Sequence, residues 1–163
     1  MKVVVNATPL IALSLIGELD LLPHLFDEIL VPTAVYEEVV THGAGRPGSE
    51  AVLAAAWLHV QSPKAASSME PLLLGLDPGE LQTLLLAREV QADWVLIDER
   101  LGRRVARAMR FETKGTVGVL LAAYLAGLFS RERALKAVHE LVEKGIRIGP
   151  SVIAWFEAEL DKR

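Results

Sequence analysis

The sequence contains no cysteine. This excludes disulfide frameworks, thiolate catalysis and cysteine-ligated zinc. Positive charge is not in excess: 17 Lys and Arg stand against 21 Asp and Glu, a formal net charge of -4. The surface as a whole is therefore no electrostatic footprint for nucleic acid, and only a local basic patch can serve. Long apolar runs are missing as well. The most apolar stretch, residues 117–128, falls short of the about 20 residues a membrane span needs, and reads as a buried or interface helix. The apolar start after Met1-Lys2 is broken by Asn6, Thr8 and Pro9. No targeting segment is recognised, and a cytoplasmic protein without membrane contact is expected.

What is there is a chain of 163 residues, 52% hydrophobic and 23% charged. That length fits one domain, 1–163, with a sizeable core. The apolar surplus points to a surface covered by a partner, so a homodimer or tight protein complex is expected. Strands are predicted at 2–6, 28–31 and 94–97, with a short one at 111–113. Helices are predicted at 10–25, broken at Gly17, and at 34–40, 50–57, 80–90, 99–109, 116–128, 130–144 and 151–161. Thr8 reads as an N-cap with Pro9 at the first helical position, Ser130 and Ser151 as further N-caps, and Gly145 as a stop. Breaker-rich stretches lie at 41–49 and 62–79. Strands alternating with helices predict a three-layer α/β fold, a mostly parallel sheet with helices on both faces.

In such sheets ligands bind outside the carboxyl ends of the strands. Asn6 ends the first strand and Asp98 follows the 94–97 strand; Glu37 and Glu38 lie on the helix after the second strand, and Glu80 on the helix leading into 94–97. Dispersed carboxylates of this kind suit hard cations, which prefer oxygen ligands. Each also has a plainer reading. Asp98 serves equally well as a cap for the 99–109 helix, and Asp77-x-x-Glu80 is a capping box, the favoured explanation of Glu80 on spacing alone. Glu37 and Glu38 read as a solvated helix face, with Val35, Val39 and Val40 on the buried side.

A less ordinary feature is Arg100, Arg103, Arg104 and Arg107, at i, i+3, i+4 and i+7, a single basic stripe beginning beside Asp98. Leu101, Val105, Ala108 and Met109 are predicted as the buried stripe opposite. The arginines suit a phosphate backbone held next to an acidic metal site. Gly43-Ala-Gly45-Arg-Pro-Gly48 matches G-x-G-x-x-G, but it follows a helix and carries Pro47, so it is dismissed as a dinucleotide site. His24, His42, His59 and His139 show no ligand spacing. Trp57, Trp94 and Trp155 read as core or interface residues rather than base-stacking platforms.

Several of these segments together resemble the PIN-domain nuclease family. Val3-Val-Val-Asn-Ala-Thr-Pro-Leu-Ile-Ala-Leu13 looks like the opening of a PIN domain. Val31-Pro-Thr-Ala-Val-Tyr-Glu-Glu-Val39, Leu76-Asp-Pro-Gly-Glu80 and Leu96-Ile-Asp-Glu-Arg100 resemble its next three motifs. Lys114-Gly-Thr-Val-Gly118 fits an uncharacterised prokaryotic branch. The resemblance covers roughly 2–150. It implies a sheet of about five strands, Mg²⁺- or Mn²⁺-dependent ribonuclease activity on RNA, and relatives that are homodimeric toxins paired with an antitoxin protein. It implies Glu38, Glu80 and Asp98 as catalytic acids that also hold metal together with Asn6. Thr8, Thr116 and Glu37 (the alternative to Glu38) would stand at the site's edge. The departure is Asn6, where the family normally has aspartate. A neutral amide offers an oxygen but no charge, which implies weaker activity or a non-catalytic PIN-like binding module. A receiver-like phosphate-handling domain is the third class; it expects paired acids after strand one, and Asn6 speaks against it.

Overall fold

The computed structural model describes residues 1–64 and 75–162. Residues 65–74, the middle of the breaker-rich stretch at 62–79, lie outside the described residues. The element order is β1 (Lys2–Val5), α1 (Ala7–Leu15), α2 (Leu21–Leu25), β2 (Glu28–Pro32), α3 (Thr33–Tyr36), a π-helical turn (Glu37–Thr41), α4 (Ser49–Ala54) and β3 (Leu58–Gln61). It continues with α5 (Pro78–Glu89), β4 (Trp94–Leu96), α6 (Arg100–Ala108), β5 (Glu112–Lys114), α7 (Thr116–Leu125), α8 (Arg131–Glu143) and α9 (Pro150–Leu160).

The strands form one sheet in the order β3-β2-β1-β4-β5, and every pairing is parallel. A parallel sheet is covered on both faces, so its central strands carry apolar residues at every position rather than at alternate ones. That is the reason for Val3-Val4-Val5 and Val95-Leu96-Ile97. Val4, Leu30, Val95 and Ile97 pack with Leu84–Ala87 of α5 and Val105–Ala106 of α6. Val3, Val5, Ile29, Val31 and Leu96 pack on the other side with residues of α1, α2, α7, α8 and α9. These are the three layers expected.

Four expectations are corrected. The helix predicted at 50–57 stops at Ala54, and 58–61 forms edge strand β3. This strand has one partner and exposed side chains, so it lacks the apolar signature of the others. The Ser151 cap is displaced to Gly149, because Pro150, with its fixed φ and missing N–H, is suited to the first helical position. Thr8 does not cap α1, which begins at Ala7 with Asn6 in the cap position and no side-chain cap bond. The buried side of α6 is Gly102, Val105 and Ala106, whereas Leu101 and Ala108 are exposed. Gly102 sets that rotation: a Cβ there would collide with the Ile97 side chain, so the helix approaches the sheet along its glycine. Three local predictions match. Asp77 and Glu80 form the reciprocal capping box, Ser130 Oγ caps α8, and Gly145 follows α8 with φ +91°, the left-handed conformation that ends helices on glycine.

Candidate functional site

Strands β2 and β3 lie on one side of β1, and β4 and β5 on the other. The direction of winding therefore reverses between β1 and β4, and the carboxyl ends of these two strands open the crevice where such sheets bind ligands. The Asn6 N–H extends the pairing by donating to Leu96 O at 2.9 Å. Asn6 on one side and Asp98-Glu99 on the other are thus placed together by the backbone.

Asp98 does not cap the helix that follows it. Its Oδ1 accepts from Thr116 N–H at 2.7 Å and its Oδ2 from Thr116 Oγ1 at 2.6 Å, so it caps the start of α7 from across the sheet. The close approach depends on Gly115, where a Cβ would lie 2.6 Å from Asp98 Oδ1 and 3.3 Å from an Arg103 guanidinium nitrogen. Burial pushes the Asp98 carboxyl above its usual range; the two Thr116 bonds and Arg103 oppose this, and Glu99 adds to it.

Glu99 takes the backbone cap position of α6 with no side-chain cap bond. Its carboxylate turns instead to the start of α1, just after β1, where Thr8 Oγ1 donates to Oε1 at 2.7 Å and Asn6 Nδ2 to Oε2 at 3.4 Å. The hydroxyl of Thr8, expected at a helix cap, serves this acid. Sequence reading did not single out Glu99, although it stands inside the motif at 96–100. The available signal was two adjacent acids at the end of a buried strand. Thr83 was also missed: its hydroxyl donates to Gly79 O at 2.7 Å and lies 3.5 Å from Asn6 Oδ1.

Glu80 has the capping role that its spacing favoured. Its Oε2 accepts from Asp77 N–H at 3.1 Å, closing the capping box, yet it is buried and its carboxyl carbon lies 3.7 Å from a Cβ built on Gly102. Burial raises its pKa, the Asp77 backbone bond opposes, and the charges of Asp77 and Glu99 add. Glu38 projects from the π-helical turn toward the start of α5, with Oε2 3.3 Å from a Cβ built on Gly79. It remains solvent-accessible, but desolvation, then the charges of Asp77 and Glu99, raise its pKa. Inserted π turns re-aim side chains and recur at functional sites. Among the described residues no contact ties the exposed Glu37 to this group.

Glu38, Glu80 and Asp98 are thus carboxylates from separate elements, each feeling the charge of Glu99. Among the described residues, no three Asp, Glu or His side chains converge into a ready-made cage for one ion. The donor set still fits Mg²⁺ or Mn²⁺ in chemistry. It is all oxygen, it carries uncompensated negative charge, and Mg²⁺ typically uses one or two carboxylates plus waters and phosphate oxygens. Asp98 and Glu99 keep lone pairs beyond the bonds they accept.

The arginine stripe divides. Arg103 is half-buried beside Asp98 and lines the large cleft that contains Thr8, Asp98 and Glu99. Arg107 donates from Nε to Thr113 Oγ1 at 3.2 Å, while Arg100 and Arg104 face solvent.

Fold and site together define an α/β protein with an acidic, oxygen-donor crevice at the switch point of a parallel sheet. A family profile described as a PIN domain matches residues 2–162, and the chain belongs to the PIN-domain family, a nuclease-type fold. No curated protein matches the chain. No helix among the described residues is long and apolar enough to cross a membrane.

Proposed function

We propose that this chain is a divalent-metal-dependent endoribonuclease, the toxin of a toxin–antitoxin pair, acting in the cytoplasm as a homodimer. The observation that supports it best is the gathering of Glu38, Glu80 and Asp98 around Glu99 at the switch point, with Arg103 alongside. Mg²⁺ or Mn²⁺ would be held by Asp98 and Glu99 with Glu38 and Glu80; a bound ion stabilises charge on the attacking and leaving oxygens of a phosphodiester. The protein's own contributions are positional. Thr116 fixes both oxygens of Asp98, Thr8 orients Glu99, and Arg103 offers N–H donors to non-bridging phosphate oxygens. Incubating the purified chain with RNA in Mn²⁺, Mg²⁺ or chelator tests this. Cleavage that needs the metal and vanishes in Asp98→Ala is expected; metal-independent cleavage, or cleavage that survives the substitution, contradicts it. Light scattering at high micromolar concentration tests the dimer.

Asn6 supports a second reading, a non-catalytic PIN-like binding module. Its Nδ2 donates toward Glu99, so the position supplies an amide hydrogen where the family normally supplies a charge. RNA binding without cleavage under any metal condition would favour it.

A further inference from the structure

The cleft does not end at the carboxylates. From Asp98 and Glu99 it continues along edge strand β5 to a wall formed by Leu125 of α7 with Val152 and Trp155 of α9, about 970 Å³ in all. Leu125 is 44%, Val152 40% and Trp155 45% exposed, so this wall is open in the free chain. Trp155 is thereby no core residue. Three cations also line the cleft: Arg103, Lys114 and Arg147. None of them makes an ion pair among the described residues. The Lys114 ammonium sits 4.0 Å over the Trp94 ring, a cation–π seat that fixes a positive charge without neutralising it.

Asp98 and Glu99 at one end, three cations with no ion pair among the described residues between, Glu112 beside Lys114, and an accessible indole at the far end match one kind of guest. Phosphates suit the cations, and a nucleobase has a flat apolar face for the indole. A paired base is already stacked within its helix, so only an unpaired nucleotide can present that face. The cavity lies within the size range of small-ligand pockets, far too small for a duplex. We propose that this cleft is a single-strand subsite that seats an unpaired nucleotide flanking the phosphate held at the acids. Its base stacks on Trp155 and its phosphates lie along Arg103, Lys114 and Arg147. This rests on the nuclease reading for what the acids hold, and binding alone can test it.

The experiment uses the full chain in chelator, where binding is read without turnover. A labelled single-stranded oligoribonucleotide and its duplex are titrated against wild type, Trp155→Phe, Trp155→Leu and Trp155→Ala, with melting temperatures confirming folded protein. Loss of one base stack corresponds to about 5- to 150-fold in affinity. That loss is expected for the single strand in Trp155→Ala and Trp155→Leu, with Trp155→Phe within about threefold of wild type and duplex affinity unchanged. The aliphatic variant separates stacking from apolar bulk. Equal losses for single strand and duplex or no loss would overturn the subsite, as would no measurable single-strand binding both in chelator and in Ca²⁺, whose charge offsets the acids. So would unchanged affinity with a dimer turned monomer, which makes the wall a subunit interface. Cleavage is assayed separately in Mn²⁺: Trp155-dependent binding without cleavage refutes the nuclease reading and supports the subsite, whereas cleavage without Trp155 dependence refutes the subsite alone.

Discussion

Replacing Asn6 with aspartate changes one nitrogen to oxygen and adds one charge, at a place whose surroundings are known. Two effects follow, and they fall on different measurements. The Asn6 Nδ2 lies 3.4 Å from Glu99 Oε2. A carboxylate in the same rotamer would set two negative charges at that distance, a repulsion of about 5 kcal/mol at an effective dielectric near 20. Side-chain movement and proton uptake relieve part of it. This repulsion is present with or without an ion, so it appears in the stability of the metal-free protein and not in metal affinity. Attraction to a cation appears only when the ion is bound. One unit of positive charge about 4 Å away is worth roughly 4 kcal/mol under the same assumptions. If a third survives desolvation, metal affinity rises about tenfold. Metal-free Asn6→Asp is therefore expected to melt below wild type, and to gain more in melting temperature on adding Mg²⁺ or Mn²⁺. Calorimetric titration should show the tighter binding, and a nuclease assay the higher rate. Equal melting, equal metal affinity and equal cleavage in the two proteins would refute the reasoning, because position 6 would then face neither Glu99 nor an ion.

Three further outcomes are expected. Desolvation, with neighbouring acids adding, holds the Glu38, Glu80 and Asp98 carboxyls above their ordinary values. The folded state therefore binds more protons than the unfolded one, and metal-free stability should fall as pH rises from those values through the raised folded pKa values; melting temperatures that rise with pH across this interval would contradict it. Thr116→Val removes the hydroxyl donor to Asp98 Oδ2 and should cost about 1–3 kcal/mol in denaturant unfolding, with weaker metal binding because the carboxylate loses its orientation. Arg103→Ala should weaken binding of many RNAs alike and flatten the salt dependence by roughly one phosphate contact, while exposed Arg104→Ala should do less. A change in sequence preference at constant salt slope would count against phosphate contact.

Much of this molecule follows from local rules that a sequence states directly. Val3-Val-Val5 and Val95-Leu-Ile97 had to be strands covered on both faces, since nothing else hides short β-branched runs with no polar side. Asp77-Pro-Gly-Glu80 had to start a helix, because its capping bonds lie within four residues. Edge strand β3 escaped because, with one partner and exposed side chains, it carries no burial pattern. The candidate site was legible as a set of acids at strand ends and helix starts, but not in the direction each acid faces. Asp98 has its own helix beside it and instead caps α7, eighteen residues later in the chain, through Thr116. Glu99, overlooked, became the hub because Thr8 and Asn6 reach it from the start of α1, brought beside it by the pairing of β1 with β4 far along the chain. A one-dimensional pattern reports which side chains prefer burial and which backbone groups need capping. Only the tertiary structure decides which of several equally good partners meets each carboxylate, because that choice is made by strand order and by the glycines, Gly102 and Gly115, that let the elements close on one another.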